Sequence, residues 1–418
     1  MQIKSVLNRC YRHKGFVYGK ARWEEANGET TLVVEVESRR RSRPLCSGCG
    51  RPGSTYDHQS GGRRFEFIPF WGYHVQFEYR LRRVACAGCG VKTEQVPFGE
   101  GKNRLTPAYR LYLAQWAKRM SWTEVAEAFH TSWQKVYRAV AWVVGYGLLH
   151  RDLSGITAIG VDEVQWQRGH HYLTVVYQLD AGRRRLLWVG KERTVRTLLR
   201  FFRWMGKERS AGLQFVCSDM WQPYLKVIAK KAGEAIHILD RYHVVAKLNM
   251  ALDEVRAKEV KRLQGKGYEP VLKKSRWCLL KRPENLTEKQ TVKLAELLKY
   301  NLRSVRAYLL REDFQRFWTY SSAGWAGRFL DEWTGRVMRS RLEPLKKVAR
   351  TLRNHRALIL NWFRAKGEVS AGAVEGLNNK VKLVTRKSYG FRTPEIAKLA
   401  LLHNLGRLPE PNFTHRFC

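Results

Sequence analysis

Residues 156–164 read Ile156-Thr-Ala-Ile-Gly-Val-Asp162-Glu163-Val164, an apolar run that ends on two acids. The β-branched and small apolar residues predict a strand. A carboxylate inside such a strand is expensive unless its charge is compensated, and a metal ion is the usual compensation. Working outward, strands are expected near 156–164, 171–179 and 185–190, then a helix near 195–206 and a strand near 213–218. A helix near 223–232, a strand near 235–239 and a helix from about 241 complete the run. Three strands followed by alternating helices and strands predict a mixed sheet with helical cover. Leu213-Gln-Phe-Val-Cys-Ser-Asp219 sets a second acid at a strand end. Side chains at the strand ends of such sheets converge on the crevice where ligands bind.

A third acid, Glu375, lies in Ala371-Gly-Ala-Val-Glu-Gly-Leu-Asn-Asn-Lys-Val-Lys-Leu383. That segment predicts a basic amphipathic helix, with Lys382 two turns beyond Glu375 on the same face. Three hard oxygen ligands suit Mg2+ or Mn2+. Two such ions about 3.5–4 Å apart can activate an attacking oxygen and stabilise a leaving one. Other acids compete for these roles. Glu163 should face the opposite side of the strand from Asp162, and Asp180 beside Gly182 suggests a hairpin turn. Asp240 and His243 follow a strand and could support the ligands from behind. Glu368 is the remaining competitor.

The chain of 418 residues carries 77 Lys and Arg against 37 Asp and Glu, a formal net charge of +40. Such an excess speaks of a polyanionic partner, most simply nucleic acid. The 15 Trp, 18 Tyr and 17 Phe predict several packed cores. No run of about 18 apolar residues suggests a membrane span, and Met1-Gln-Ile-Lys-Ser5 has no signal-peptide core. A cytoplasmic location follows as an expectation, with cysteines kept as thiols or metal ligands.

Cys46-x-x-Cys49 and Cys86-x-x-Cys89 are each followed by glycine, Gly50 and Gly90. Two such knuckles make a closed four-thiolate zinc site, the glycines permitting the tight turn behind each. Cys10, Cys217, Cys278 and Cys418 are scattered. Residues 73–84 alternate, with Val75, Phe77, Tyr79 and Leu81 on one face, which predicts a half-buried strand. Phe65, Phe67 and Ile68 suggest its partner, with Gly72 near the turn. Arg39, Arg40, Arg41 and Arg43 are either phosphate contacts or a solvated linker. Ser121-Trp-Thr-Glu124 and Thr131-Ser-Trp-Gln134 fit capping boxes of two helices after a first, a helix-turn-helix pattern. Its second helix would begin near Ser132, with Gln134, Lys135 and Arg138 toward DNA and Val136 and Val140 inward.

The whole order of parts resembles the ISL3 family of insertion-sequence transposases. The resemblance rests on the zinc unit, the helix-turn-helix, Gly-Val-Asp162-Glu, Ser-Asp219-Met-Trp-Gln-Pro-Tyr, Asp240-Arg-Tyr-His243-Val, and Glu375-Gly-Leu-Asn-Asn-Lys-Val-Lys-Leu with Tyr389-Gly-Phe-Arg downstream. It covers nearly the entire chain. It implies an RNase H-like catalytic core in which Asp162, Asp219 and Glu375 are the acidic triad and Lys382 the following basic residue. It also implies binding to the terminal inverted repeats of the protein's own element, action on target DNA, and a homo-oligomer. It implies neither a membrane nor a small-molecule substrate, and it suggests a bacterial, nucleoid-associated protein.

The expected fold is therefore multidomain α+β: a β-rich zinc-binding unit (1–100), a helix-turn-helix (101–150) and an RNase H-like α/β core (151–250) interrupted by a helical insertion (251–365). The last core helices and tail take 366–418. The stretch between Asp219 and Glu375 is too long for a structureless loop, which is why an insertion is expected. Two other readings use the same features. A zinc-finger and helix-turn-helix regulator would explain the charge and the first 150 residues, but not the acids in their strands. A structure-specific RNase H-like nuclease would use the same acids without strand transfer.

Overall fold

The computed structural model describes residues 2–26, 28–167, 169–265, 271–365 and 371–412; Glu368 and Cys418 lie outside them. The chain divides into two compact units, one of residues 1–152 with 383–418 and one of residues 153–382.

The first unit opens with α1 (Ile3–Cys10), β1 (Phe16–Ala26) and β2 (Glu29–Ser38), then β3 (Leu45–Cys46), β4 (Ser54–His58), β5 (Arg63–Phe70), β6 (Tyr73–Tyr79), β7 (Arg82–Cys86) and β8 (Gly90–Gln95). These strands form two four-stranded sheets, β1-β2-β6-β5 and β3-β8-β7-β4. Val75, Phe77 and Tyr79 are buried as the alternation predicts, and Phe77 stacks on Phe67 with centroids 4.6 Å apart. β5 and β6 pair antiparallel across Trp71 and Gly72, both at positive φ, the backbone of a tight hairpin turn.

The strand expected over 73–84 is in fact two, parted at Arg80 and Leu81 and belonging to different sheets. Glu94 is the physical reason. Its buried Oε1 accepts from the Tyr79 hydroxyl and from the Arg82 backbone N–H, each at 2.7 Å. The Arg82 guanidinium pairs with its other oxygen at 2.8 Å. The chain must bend there to satisfy a carboxylate that would otherwise be buried alone.

Helices α2 (Pro107–Ala117), α3 (Trp122–Ala128) and α4 (Trp133–His150) follow. Ser121 and Glu124 form the expected capping box. At α4 the cap differs from expectation: Ser132, one residue later than Thr131, accepts from the Lys135 N–H. Starting there buries Val136, Val140 and Val143 on one stripe.

The second unit contains β9 (Ala158–Gln167), β10 (His171–Gln178), β11 (Arg185–Lys191), α5 (Val195–Met205), α6 (Lys207–Ala211), β12 (Phe215–Ser218), α7 (Gln222–Lys231) and β13 (Ile236–Leu239). Its sheet runs β11-β10-β9-β12-β13. β9, β10 and β11 pair antiparallel, while β12 runs parallel to both β9 and β13. This is the mixed sheet expected of an RNase H-like core. Ile159, Val161 and Val216 turn to one face and pack with Leu198 and Phe201 of α5 and Ile228 of α7. Asp180 closes the β10–β11 turn, accepting from the Thr157 N–H at 3.2 Å.

After β13 the chain is helical: α8 (Arg241–Gln264), α9 (Arg276–Leu280), α10 (Glu288–Leu298), α11 (Arg303–Gln315), α12 (Ala323–Arg339), α13 (Glu343–Asn354) and α14 (Arg356–Arg364). These helices share one core with the sheet. Leu239 of β13 and Val244 and Leu248 of α8 belong to the same cluster as Phe314, Trp333 and Leu345. The Asn361 side chain donates to the His237 carbonyl of β13 at 2.8 Å. Next come α15 (Ala371–Lys387) and α16 (Pro394–Leu405).

The expected grouping of 366–418 with the core divides at Lys382. Residues beyond it pack with α2 and α4: Lys387 donates to the Ala117 and Lys118 carbonyls, and Glu410 accepts from Gln115. Gly147 leaves room for Leu408, where a Cβ would lie 2.5 Å from the leucine Cβ.

Candidate active site

Asp162 sits within β9 and is 7% exposed. Its Oδ1 accepts from the Glu163 N–H at 2.8 Å, and its Oδ2 accepts from Nδ2 of Asn378 on α15. Asp219 follows β12. Its Oδ1 accepts from the Trp221 N–H at 2.9 Å, and its Oδ2 accepts from Nη2 of Arg193 at 2.8 Å. Parallel pairing of β12 with β9, which runs as far as Cys217 opposite Gly160, brings Asp219 just past the end of β12 to the level of Asp162 in the middle of β9. Their charges act on each other, since Asp219 helps to raise the pKa of Asp162.

Asp240 caps α8, accepting from the Tyr242 N–H at 2.8 Å. His243 stands between acids, its Nε2 3.8 Å from Oδ1 of Asp162 and 3.8 Å from Oδ2 of Asp240. Glu375 is exposed on α15, and its charge is felt at Asp240. Lys382 is exposed on the same helix, near Oδ1 of Asn379 at 3.5 Å.

Glu163 faces the α5–α7 side of the sheet, as strand alternation requires. Arg193 reaches it there: its Nε is 2.8 Å from Oε1 of Glu163, although the N–H does not point along that line. The guanidinium also lies over the Trp221 ring at 4.5 Å. Arg193 and Asn378 bond directly to these acids and Tyr177 to Asn378, contacts that periodicity does not single out. Asn378 lies within the quoted Glu375 motif, so a signal was present, whereas Arg193 leaves none.

The electrostatics describe a region with too much buried negative charge. Burial, opposed by His243, raises the Asp162 carboxyl. Burial and the Asp219 charge push Glu163 up to about 8 against the pull of Arg193. Burial pushes Asp240 to about 6, opposed by His243, with Asp162 and Glu375 adding repulsion. A divalent cation among hard oxygen donors would relieve this repulsion, so the residues fit such an ion. Asp162, Asp219 and Glu375 do not lie within mutual ligand distance. Among the described residues the one group of that kind is Cys46, Cys49, Cys86 and Cys89, whose sulfurs all lie within 4.8 Å of one another.

The four cysteines come from β3, the turn after it, the end of β7 and the turn before β8. Gly50 and Gly90 both take φ 71°, so each knuckle has the left-handed turn its glycine permits. The Gly48 N–H points to Cys46 Sγ at 3.4 Å. The backbone N–H of Gly88 and the Cys49 thiol bring Cys86 down to about 7. Donor set and spacing are those of a structural zinc site.

In the helical region before the second unit, Gln134 and Arg138 are exposed one turn apart on α4, while Val136 and Val140 are buried. Lys135 is engaged within its own unit, its Nζ 2.8 Å from both carboxylate oxygens of Glu66.

A family model described as a transposase of the ISL3 type matches residues 159–401. A second, described as the zinc-finger of transposase IS204/IS1001/IS1096/IS1165, matches residues 42–93. The two matches define a transposase with a zinc ribbon and a core of the DDE type. The chain is 31% identical over 412 residues to the transposase for insertion sequence element IS1557 of Mycobacterium tuberculosis, covering 92% of this chain and 91% of that one. It is 28% identical over 385 residues to the transposase for insertion sequence element IS1001 of Bordetella parapertussis, covering 91% and 93%. This chain belongs to the ISL3 family of insertion-sequence transposases. No helix among the described residues is long and apolar enough to cross a membrane.

Proposed function

We propose that this transposase binds the terminal inverted repeats of its own insertion sequence and cleaves and joins DNA strands at Asp162, Asp219 and Glu375. The observation that carries this reading is the side-by-side placement of two aspartates on adjacent parallel strands, Asp162 within β9 and Asp219 just after β12, beside the helix that bears Glu375. The three carboxylates would hold Mg2+ or Mn2+. A divalent ion bound there supplies Lewis acidity at the scissile phosphate and lowers the pKa of an attacking hydroxyl or water. Asn378 and Arg193 orient the aspartates, His243 and Asp240 back them, and Lys382 offers a cation to a phosphate.

The zinc ribbon, with Zn2+ on its four cysteines, and helices α2–α4, as a helix-turn-helix, form the proposed end-recognition part. Gln134 and Arg138 are its exposed contacts, and Lys135 joins them by leaving Glu66. The protein works as a homo-oligomer, because two ends must be held at once. The test is to incubate the protein with element-end duplex and Mg2+ and follow cleavage and joining. Asp219→Ala should lose both by at least a hundredfold while still shifting the duplex on a gel. Wild-type chemistry in that variant would end the assignment.

A further inference from the structure

The helix α15 meets the sheet at two points whose spacing matches. Gly160 and Asp162 are two residues apart on β9 and face the same side, a rise of about 6.6 Å. Val374 and Asn378 are four residues apart on α15, a rise of about 6 Å. At the first point Gly160 is a notch. A Cβ there would lie 2.8 Å from Cγ2 of Val374 and 3.1 Å from Cδ1 of Leu179, so only glycine lets Val374 come this close. At the second point Asn378 donates to Oδ2 of Asp162.

The amide of Asn378 is not free to turn over. Tyr177 of β10 is the cross-strand partner of Gly160, and its hydroxyl lies 2.8 Å from Oδ1 of Asn378. A phenol donating to Oδ1 leaves Nδ2 to donate to the aspartate. Tyr177 is fully buried, so its hydroxyl has no competing water. The relay Tyr177–Asn378–Asp162 therefore joins two strands and α15, and it fixes both the depth and the rotation of the helix. Glu375 lies three residues before Asn378, on the adjoining turn.

We infer that Asn378 is a positioning residue: it latches α15 to β9 in one register, holds one oxygen of Asp162, and so decides where Glu375 stands relative to the two aspartates. This rests on the reading of the three acids as a metal site. It also accounts for how the helix that bears Glu375, separated from the aspartates in sequence by a long helical insertion, is docked against the strand of Asp162. The latch, rather than the insertion, sets the final placement.

The test is Mn2+ binding by calorimetry on the full-length protein without DNA, read beside thermal unfolding. Removing a residue that orients a metal ligand typically weakens the metal by 10–100-fold. Asn378→Ala should weaken Mn2+ by at least about tenfold, and Tyr177→Phe should do so by a smaller factor in the same direction. The Tyr177→Phe protein keeps all but one oxygen atom, so it should melt within a few degrees of wild type; if Asn378→Ala does not fold, Tyr177→Phe decides alone. Asp162→Asn is the control. If Asp162→Asn abolishes binding while both other variants bind as wild type, the latch is overturned and the metal site stands. If Asp162→Asn itself binds as wild type, the metal-site reading falls, and the latch as stated falls with it.

Discussion

Arg193 donates from Nη2 to Oδ2 of Asp219 at 2.8 Å while its Nε stands 2.8 Å from Glu163. One cation thus serves two acids, and Glu163 is nearly buried. Removing one partner of a buried pair costs about 3–5 kcal/mol because the other charge is stranded. Arg193 keeps about a third of its side chain in solvent, so about 2 kcal/mol is expected for Arg193→Ala. Adding Glu163→Gln should recover only part of it, since the Asp219 charge stays stranded and Glu163, pushed up to about 8, holds its proton in most molecules at neutral pH. Urea denaturation of the two single variants and the double variant measures the coupling. Strictly additive losses would refute the shared pair.

The cysteine cluster should bind one zinc per chain. Cys86→Ser should release it and weaken binding to element-end DNA, with the second unit still folded by far-UV circular dichroism. Metal analysis of the purified protein is the measurement. Folded protein without zinc, binding DNA normally, is the result that sinks the assignment.

Arg138 is an exposed cation on α4, and Gln134 one turn earlier is uncharged. If Arg138 meets a phosphate, Arg138→Ala should reduce the slope of log K against log salt by about 1. Gln134→Ala should leave the slope unchanged. Equal slopes for wild type and Arg138→Ala would remove that residue from the interface.

His403 of α16 is buried, and neither ring nitrogen has a hydrogen-bond partner among the described residues. Burial, with the Lys118 and Lys387 charges, lowers its pKa from 6.5 to about 3. Above pH 6.5 the ring is neutral folded and unfolded, so it adds no pH dependence. As pH falls from 6.5 toward 3 the unfolded chain takes up a proton that the folded chain refuses, and stability is lost, about 2 kcal/mol by pH 5. His403→Leu should flatten this part of the stability–pH curve. An unchanged curve would show that the ring is not the sensitive group.

Most elements could be anticipated because they repeat a pattern or carry a cap. β9 to β13 follow apolar runs, and Thr194 and Asp240 mark the starts of α5 and α8. The elements and contacts that could not be anticipated depend on partners distant in sequence. The break at Arg80 exists because Glu94 needs three donors. The α4 cap falls on Ser132 because that start buries Val136 and Val140. Arg193 gives no periodic signal, since its value lies in reaching Asp219 and Glu163 from a corner where Glu192 takes φ 69°. Asn378 could be seen as part of a motif, yet its bond to Asp162 crosses 216 residues of sequence.

The β5–β6 hairpin lies between the two knuckles in the chain but belongs to the other sheet of its unit. The cost of bringing two chain segments together grows with the free length between them. Once β5 and β6 have paired, the stretch from Cys49 to Cys86 is no longer free. The second pair of thiolates then arrives beside the first as a finished part. A nascent chain whose hairpin has not paired offers an ion two ligands rather than four. Pairing of the hairpin thus shortens the free chain between the two knuckles and lowers the entropic cost of gathering the four thiolates.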